Sequence, residues 1–390
     1  MLRLMLRGTR HFTRLISSEA CPIQVVNWDE HFCLGYPDEL KLSALVPLAG
    51  RDFLASSRIP KFPEFLADPR ENIPLYLKAN NEKQFTAATW GMYSKAIIDM
   101  AYKRYEEHGV AVAILFRGMP IESPGDFSDW VNGLDFERVQ YVEPTGLTPR
   151  IAEFVTSGSS EPSDYNIEPH NERAYMSMYP DIFIMCMFRK SACGGETAIV
   201  DNRETLRKLD RRFMGKCERK QLRYWKFLPD ARGSHPSIAY KSWQGHFRTE
   251  DKSEIESELK DTGVYNFEWL EDNNLVLWHN RPPFIHHPKT EERLWFNQMA
   301  AGHCSYLQSM PIFQNLQLPN REYPFHCTYG DGREIETECL NEVRRIKWEN
   351  AVGFEWQEGD VLFLDNLIMQ HSRLSFQGER HVGISLLNMN

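Results

Sequence analysis

The chain lacks the marks of several protein classes. Its eight cysteines (Cys21, Cys33, Cys186, Cys193, Cys217, Cys304, Cys327 and Cys339) are scattered, with no Cys-x-x-Cys pair and no zinc-module spacing among them. In 390 residues that pattern fits free thiols in a reducing compartment rather than a disulfide framework. No apolar run approaches the roughly 18 residues needed for a membrane-spanning helix, and the mean hydropathy is −0.50. Positive charge is not in excess: the net charge of −9 argues against nucleic acid as a partner. Internal repeats and low-complexity segments are absent. What is present suits a compact enzyme, since 42% hydrophobic and 12% aromatic residues can fill a large core.

Acids are missing from the first eighteen positions, and Glu19 is the first. Arg3, Arg7, Arg10 and Arg14 recur at helical spacing beside Leu2, Leu6, Phe12, Leu15 and Ile16. Basic, amphipathic and acid-poor, residues 1–20 read as a mitochondrial transit peptide. Residues 21–84 are punctuated by proline and charge and form an extension to which the sequence assigns no role. Residues 85–390 carry the remaining signals and read as one catalytic domain.

The central signal is His170-Asn171-Glu172, followed far downstream by His371 and then Arg380. On an extended strand, residues i and i+2 share a face, so His170 and Glu172 can reach one metal while Asn171 points away. Two histidines and one carboxylate grip one face of an octahedral Fe(II) and leave the opposite face open. Around them stand Gly194-Gly195-Glu196-Thr197, after the apolar run Ile182–Phe188, and Gly359-Asp360-Val361-Leu362-Phe363-Leu364-Asp365-Asn366 before Gln370-His371-Ser372-Arg373. Phe376-Gln377-Gly378-Glu379-Arg380 follows. Further pieces are Arg117-Gly118-Met119-Pro120, Lys241-Ser242-Trp243-Gln244, Phe247-Arg248-Thr249, His287-Pro288-Lys289-Thr290 and Trp295-Phe296-Asn297-Gln298.

In this order, over about residues 85–388, the motifs resemble the TauD/TfdA family of oxygenases, in its clavaminate synthase-like branch. The resemblance implies that His170, Glu172 and His371 bind Fe(II). It also implies that Arg380 holds the far carboxylate of 2-oxoglutarate, a task suited to a two-pronged guanidinium, with Thr197 as its hydrogen-bonding partner. The other cosubstrate that the resemblance implies is O2. The implied reaction couples oxidative decarboxylation of 2-oxoglutarate to succinate and CO2 with C–H hydroxylation, or desaturation or ring closure, of a small, amino-acid-like substrate. Tyr175, Asn297 and Gln298 are the candidate substrate contacts. Arg173, Arg281 and Arg232 are candidate partners for a substrate carboxylate.

The implied fold is mainly β with inserted helices (α+β), around a double-stranded β-helix, the cupin-like jelly roll. Predicted strands run over Val110–Phe116, Ile182–Phe188, Leu275–His279, Leu294–Asn297, Val361–Asp365 and Val382–Leu387. Predicted helices run over Thr86–His108, stopped by Gly109, from Ser123 as cap, over Asp251–Asp261 and over Glu334–Trp348. Trp295 and Phe296 read as core, and the basic stretch Arg203–Arg223 as a solvated helix face. Asp201 and Arg203 form either a surface ion pair or a brace for the site. Two other readings of the chain exist. A metal hydrolase would explain the ligands, but there is no His-Glu-x-x-His helix and a hydrolase has no use for Arg380 or Thr197. A non-catalytic small-molecule-binding protein on the same fold is the alternative, against which the intact ligand set stands. The sequence leaves the oligomeric state open.

Overall fold

The computed structural model describes residues 28–42, 66–80, 85–139, 149–159, 161–313 and 315–389; the segment read as a transit peptide lies outside them. Seven strands position the site: β1 (Ile167–His170), β2 (Ile182–Arg189), β3 (Thr197–Asp201), β4 (Val352–Phe354), β5 (Val361–Asp365), β6 (Met369–Arg373) and β7 (His381–Asn388). One sheet runs Phe32–Leu34, Leu75–Ala79, Ala113–Arg117, β5, β2, β7, Val155–Ser157 and Arg150–Ala152. The facing sheet is antiparallel throughout, in the order β4, β3, β6, β1. The chain steps back and forth between the two: β1 in the small sheet, β2 in the large, β3 and β4 in the small, β5 large, β6 small, β7 large. That winding is the expected double-stranded β-helix.

The central strands are apolar on both faces because both are covered. All five residues of β5 and the first six of β2 are buried. On the outer face lies α1 (Ala87–His108), capped by Thr86, whose hydroxyl accepts from the N–H of Thr89, and ended by Gly109 at φ +67°. It buries Trp90, Ile97, Ile98, Ala101, Tyr102 and Tyr105 at the three- and four-residue spacing of one helical face. Ser123 caps the next helix, Pro124–Gly133, as its sequence predicts. The two helices meet so closely at Gly91 that a β-carbon there would sit 2.2 Å from the Trp130 carbonyl oxygen. A bidentate ion pair, Arg117 Nε to Asp360 Oδ1 at 2.9 Å and Nη2 to Oδ2 at 2.8 Å, joins two of the sequence motifs in the core.

Residues 202–351 leave the barrel between β3 and β4. They build a third sheet, in the order Asn266–Trp269, Leu275–Arg281, Leu222–Leu228, Phe325–Tyr329, and several helices, the last being α2 (Thr337–Glu349). The predicted strand over Leu294–Asn297 is Arg293–Trp295, so Asn297 and Gln298 lie in a loop. The helix predicted from Glu334 starts at Thr337. Trp295 and Phe296 are core, as expected. Among the basic residues from Arg203 on, Arg207, Arg211 and Arg212 are exposed, but Arg203 is buried in an ion pair with Asp201 and is no part of a solvated face. The described strands within residues 21–84 extend the large sheet, Leu75–Ala79 pairing in parallel with Ala113–Arg117. No described helix is long and apolar enough to cross a membrane.

Candidate active site

The small sheet assembles the site by register. His371 on β6 lies directly opposite His170 at the end of β1, and opposite Ile199 of β3 on its other side. Facing residues of an antiparallel pair project to the same side, and so do residues two apart on one strand. One face of this sheet therefore carries His170, His371, Ile199 and Thr197. Glu172 arrives differently from the sequence expectation. The strand ends at His170, and a turn follows in which Arg173 has φ +56°. The turn, not strand alternation, brings the carboxylate back.

The three side chains close on one another. Glu172 Oε2 is 3.6 Å from Nε2 of His170 and 3.7 Å from Nε2 of His371. The two rings lie 4.4 Å apart at 50°. Donors bonded to one ion at roughly 2.1 Å span roughly 3.0 Å at 90° and roughly 3.4 Å at the tetrahedral angle, so the three atoms are converged to within a few tenths of an ångström of a ligand set. The imidazoles are aimed by what holds their other edges. His170 Nδ1 meets the Glu168 carbonyl oxygen at 2.8 Å, which turns Nε2 toward Glu172. His371 stacks on Phe183 at 3.8 Å and 18°. Burial, then the adjacent His170, pushes the His371 imidazole down to about 3, with Glu172 acting in the opposite sense, so the ring stays neutral. Burial works against ionisation of Glu172, yet its hydrogen bond to His170 and the charges of His170, His371 and Arg173 hold the carboxyl down at about 2. Two imidazole nitrogens and a carboxylate are a divalent cation's ligand set.

A buried amide network fixes the turn. Asn171 does point away: its Nδ2 donates to the Met369 carbonyl oxygen at 3.3 Å, and its Oδ1 accepts from Asn202 and Gln370, each at 3.0 Å. Asn366 reads the backbone of Glu172 on both sides, accepting from its N–H at 2.7 Å and donating to its carbonyl at 3.0 Å. Behind β1, Arg344 and Lys347 of α2 reach in. Arg344 Nε donates to Glu168 Oε1 at 2.7 Å, and Lys347 Nζ to the Pro169 carbonyl at 3.2 Å. The Asp365 carboxylate, just before the turn into β6, bonds His287 at 2.9 Å, both fully buried.

Arg380 closes the other end. Its guanidinium is buried, and neither Nε nor Nη2 has a hydrogen-bond partner among the described residues. Burial first, and Arg373 second, lower it to about 9. A cation so placed calls for an anion, and a carboxylate matches its fork. Gly195 permits the approach, since a β-carbon there would lie 3.1 Å from Arg380 Cδ. Thr197 is two residues further along, on the metal-facing side, and its hydroxyl accepts from the Trp356 indole at 3.1 Å. Its proton points toward Met185 Sδ at 4.0 Å, a weak contact that a carboxylate oxygen would outcompete. The residues therefore fit 2-oxoglutarate at the Arg380 end and Fe(II) at the histidine end.

The substrate candidates fare less well. Asn297 is buried with both ends committed, donating to the Pro283 carbonyl and accepting from the Met299 N–H, each at 3.1 Å, so it is a structural residue. Gln298 donates to the Asn171 carbonyl at 2.7 Å and thereby braces the turn between the two ligands. Tyr175 packs 6.2 Å from Tyr224, and its carbonyl meets His279. Arg232 is exposed and doubly bonded to Asp230, which removes it as a carboxylate partner. Arg173 lies 3.7 Å from Glu172 Oε1. Arg281 has a buried Nε without a hydrogen-bond partner among the described residues and lines an open cavity of about 290 Å³ with Ser177, His279 and Asn280. Asp201 and Arg203 form a buried bidentate pair at the end of β3, not a surface one. Sequence reading missed Glu168, Arg344, Lys347, Phe183 and Trp356; only the charged types of Arg344 and Lys347 on the apolar face of a helix offered a signal.

Residues 72–383 match the sequence profile described as "Taurine catabolism dioxygenase TauD, TfdA family". The chain is 32% identical over 278 residues to the dapdiamide synthesis protein DdaC of Enterobacter agglomerans, covering 71% of this chain and 82% of that one. It is 30% identical over 280 residues to a clavaminate synthase-like protein of Arabidopsis thaliana, covering 70% and 81%. Among solved structures, an asparagine oxygenase with Fe(II), 3-hydroxyasparagine and succinate aligns with a TM-score of 0.43 at 13% identity, over 77% of this chain and 82% of the other.

Proposed function

The chain belongs to the TauD/TfdA family of dioxygenases, and from that premise we propose that His170, Glu172 and His371 hold its Fe(II) while Arg380 and Thr197 hold 2-oxoglutarate. The protein is an oxidoreductase, an Fe(II)- and 2-oxoglutarate-dependent oxygenase of the clavaminate synthase-like kind. The observation that carries the residue assignment is the closed set of Glu172 Oε2 with two imidazole Nε2 atoms at 3.6 and 3.7 Å. With iron and 2-oxoglutarate bound, O2 serves to decarboxylate 2-oxoglutarate oxidatively to succinate and CO2 and to oxidise a substrate C–H bond, by hydroxylation in the default outcome.

The chain's own residues orient and exclude. Arg380 fixes the far carboxylate through its two open donors, and its burial keeps that ion pair dry and strong. Glu168, Phe183 and Asn366 keep the three donor atoms converged, so that together they would hold Fe(II). We infer a small, amino-acid-like substrate. What supports it is the cavity beside Arg281, which borders the run just past Glu172 and offers a guanidinium donor for a carboxylate. The family relative named for dapdiamide synthesis is compatible with that class. Residues 85–390 are the catalytic domain in this reading, and residues 1–20 a mitochondrial targeting segment, testable by import and cleavage in isolated mitochondria.

The test is succinate formation from 2-oxoglutarate by anaerobically iron-loaded protein exposed to O2, screened over amino acids and their derivatives. Stimulation by one class, lost in Arg281→Ala but with the slow substrate-free turnover kept, supports the reading. Undiminished succinate formation in His371→Ala would sink the ligand assignment.

A further inference from the structure

Away from the site described above, where the third sheet meets the helix Cys304–Gln308, two further histidines and a carboxylate converge. His303 caps that helix, and His326 lies on the edge strand Phe325–Tyr329. Glu334 follows the turn that joins Tyr329 to Arg333. His303 and His326 are 7% and 1% exposed, with rings 4.6 Å apart at 61°. Glu334 is half exposed, which leaves a way in from solvent.

We propose that Nε2 of His303, Nε2 of His326 and the Glu334 carboxylate form a second metal site, for a zinc-type divalent cation, that ties these three segments together. Glu334 Oε2 is 3.1 Å from His326 Nε2 and 3.9 Å from His303 Nε2. The first span is close to the roughly 3.3 Å edge of a tetrahedron with bonds of roughly 2.0 Å, and the second exceeds it by roughly 0.6 Å, so the half-exposed Glu334 side chain would shift toward His303 on binding. His303 Nε2 is buried without a hydrogen-bond partner among the described residues, so this cluster leaves unfilled a polar atom aimed at the carboxylate. Imidazole nitrogen with carboxylate oxygen selects a borderline ion of the zinc kind over calcium or magnesium, which prefer all-oxygen shells.

Binding through Nε2 requires a proton on Nδ1. For His303 an acceptor waits, the Ser305 hydroxyl at 2.8 Å. What is given up are the contacts from the N–H groups of Ser305 to His303 Nδ1 at 3.1 Å and of Cys304 to His326 Nδ1 at 3.4 Å, the second of them long. Cys304 is also near both rings, but its sulfur stands 4.0 Å from His303 Nδ1, the ring edge away from Glu334, and burial keeps it a thiol. It is not a ligand in this proposal.

The experiment uses the full chain, loaded anaerobically with Fe(II) and 2-oxoglutarate, then equilibrated with zinc chloride, desalted and analysed for both metals. One zinc per chain beyond the iron is expected, with nitrogen and oxygen but no sulfur in its X-ray absorption shell. His326→Gln should lose that zinc and keep the iron, whereas His371→Ala should lose the iron and keep the zinc. Glu334→Gln, a change at a half-exposed side chain, covers the case in which His326→Gln fails to fold. It should weaken zinc by on the order of a hundredfold, at least the effect typical of outer-shell partners. No zinc beyond the iron site, or zinc retained at full affinity in Glu334→Gln, overturns the proposal. Sulfur in the shell, lost in Cys304→Ser, overturns the ligand set.

Discussion

Arg344 gives the sharpest test of how the iron ligands are held. It is 1% exposed on α2, and so is Glu168, whose Oε1 it meets at 2.7 Å. Its Nη2 also donates to the Ala300 carbonyl and the Ser305 hydroxyl, each at 2.9 Å. Arg344→Leu leaves the Glu168 carboxylate buried without its guanidinium. Lys347 cannot replace it fully, because its Nζ is committed to the Pro169 carbonyl and burial lowers it to about 8. Breaking one side of a buried pair costs about 3–5 kcal/mol, so urea unfolding of the apo-protein should lose roughly that much. Glu168→Gln in the same chain removes the stranded charge, and the double variant should recover about half of the loss. The carbonyl of Glu168 orients His170, so Fe(II) affinity, measured anaerobically, should also fall about 10–100-fold in Arg344→Leu. A loss below about 1 kcal/mol, with iron affinity unchanged, would refute the view that α2 braces the ligand strand.

Arg380→Ala should raise the KM for 2-oxoglutarate by about 10–150-fold, the range for a charge-assisted hydrogen bond of about 1.5–3 kcal/mol, while Fe(II) affinity stays put; Arg380→Lys should restore only part of it. Steady-state succinate assays decide this, and equal losses in both constants would argue for a structural role. Asn366→Ala removes both bonds to the Glu172 backbone, so it should weaken Fe(II) by about tenfold or more, read by anaerobic titration; Asn297→Ala should lower stability and leave KM for substrate alone. Acid should destabilise the metal-free protein through His371. Its imidazole is near 3 folded against 6.5 unfolded, so between those values the unfolded chain binds the extra proton and stability rises with pH. The urea midpoint should therefore fall as pH drops from about 6.5 toward 3, less steeply in His371→Asn; identical slopes would contradict the assignment.

The proposed ligands were legible in the sequence because each role is carried by a short local pattern. His170-x-Glu172 needs only two residues' spacing, and Arg380 follows His371 within the same hairpin-like run. What the sequence could not supply was the reason the pattern works. The turn at Arg173, not a strand's alternation, folds Glu172 back onto His170, and a left-handed backbone at an arginine leaves no local signature. Asn297 and Gln298 looked like paired faces of one strand, yet the strand stops at Trp295, and both amides serve backbone carbonyls, one of them within the ligand turn. Glu168 and Arg344 are separated by the entire excursion between β3 and β4, so their ion pair exists only once α2 has packed behind β1. The same excursion places His303, His326 and Glu334 together. In this reading the jelly roll takes its metal ligands from two of its strands and the turn after one of them, and their fixation partly from the inserted segments. Variants in those segments should change iron affinity and stability together, whereas changes at Arg380 should move cosubstrate binding alone.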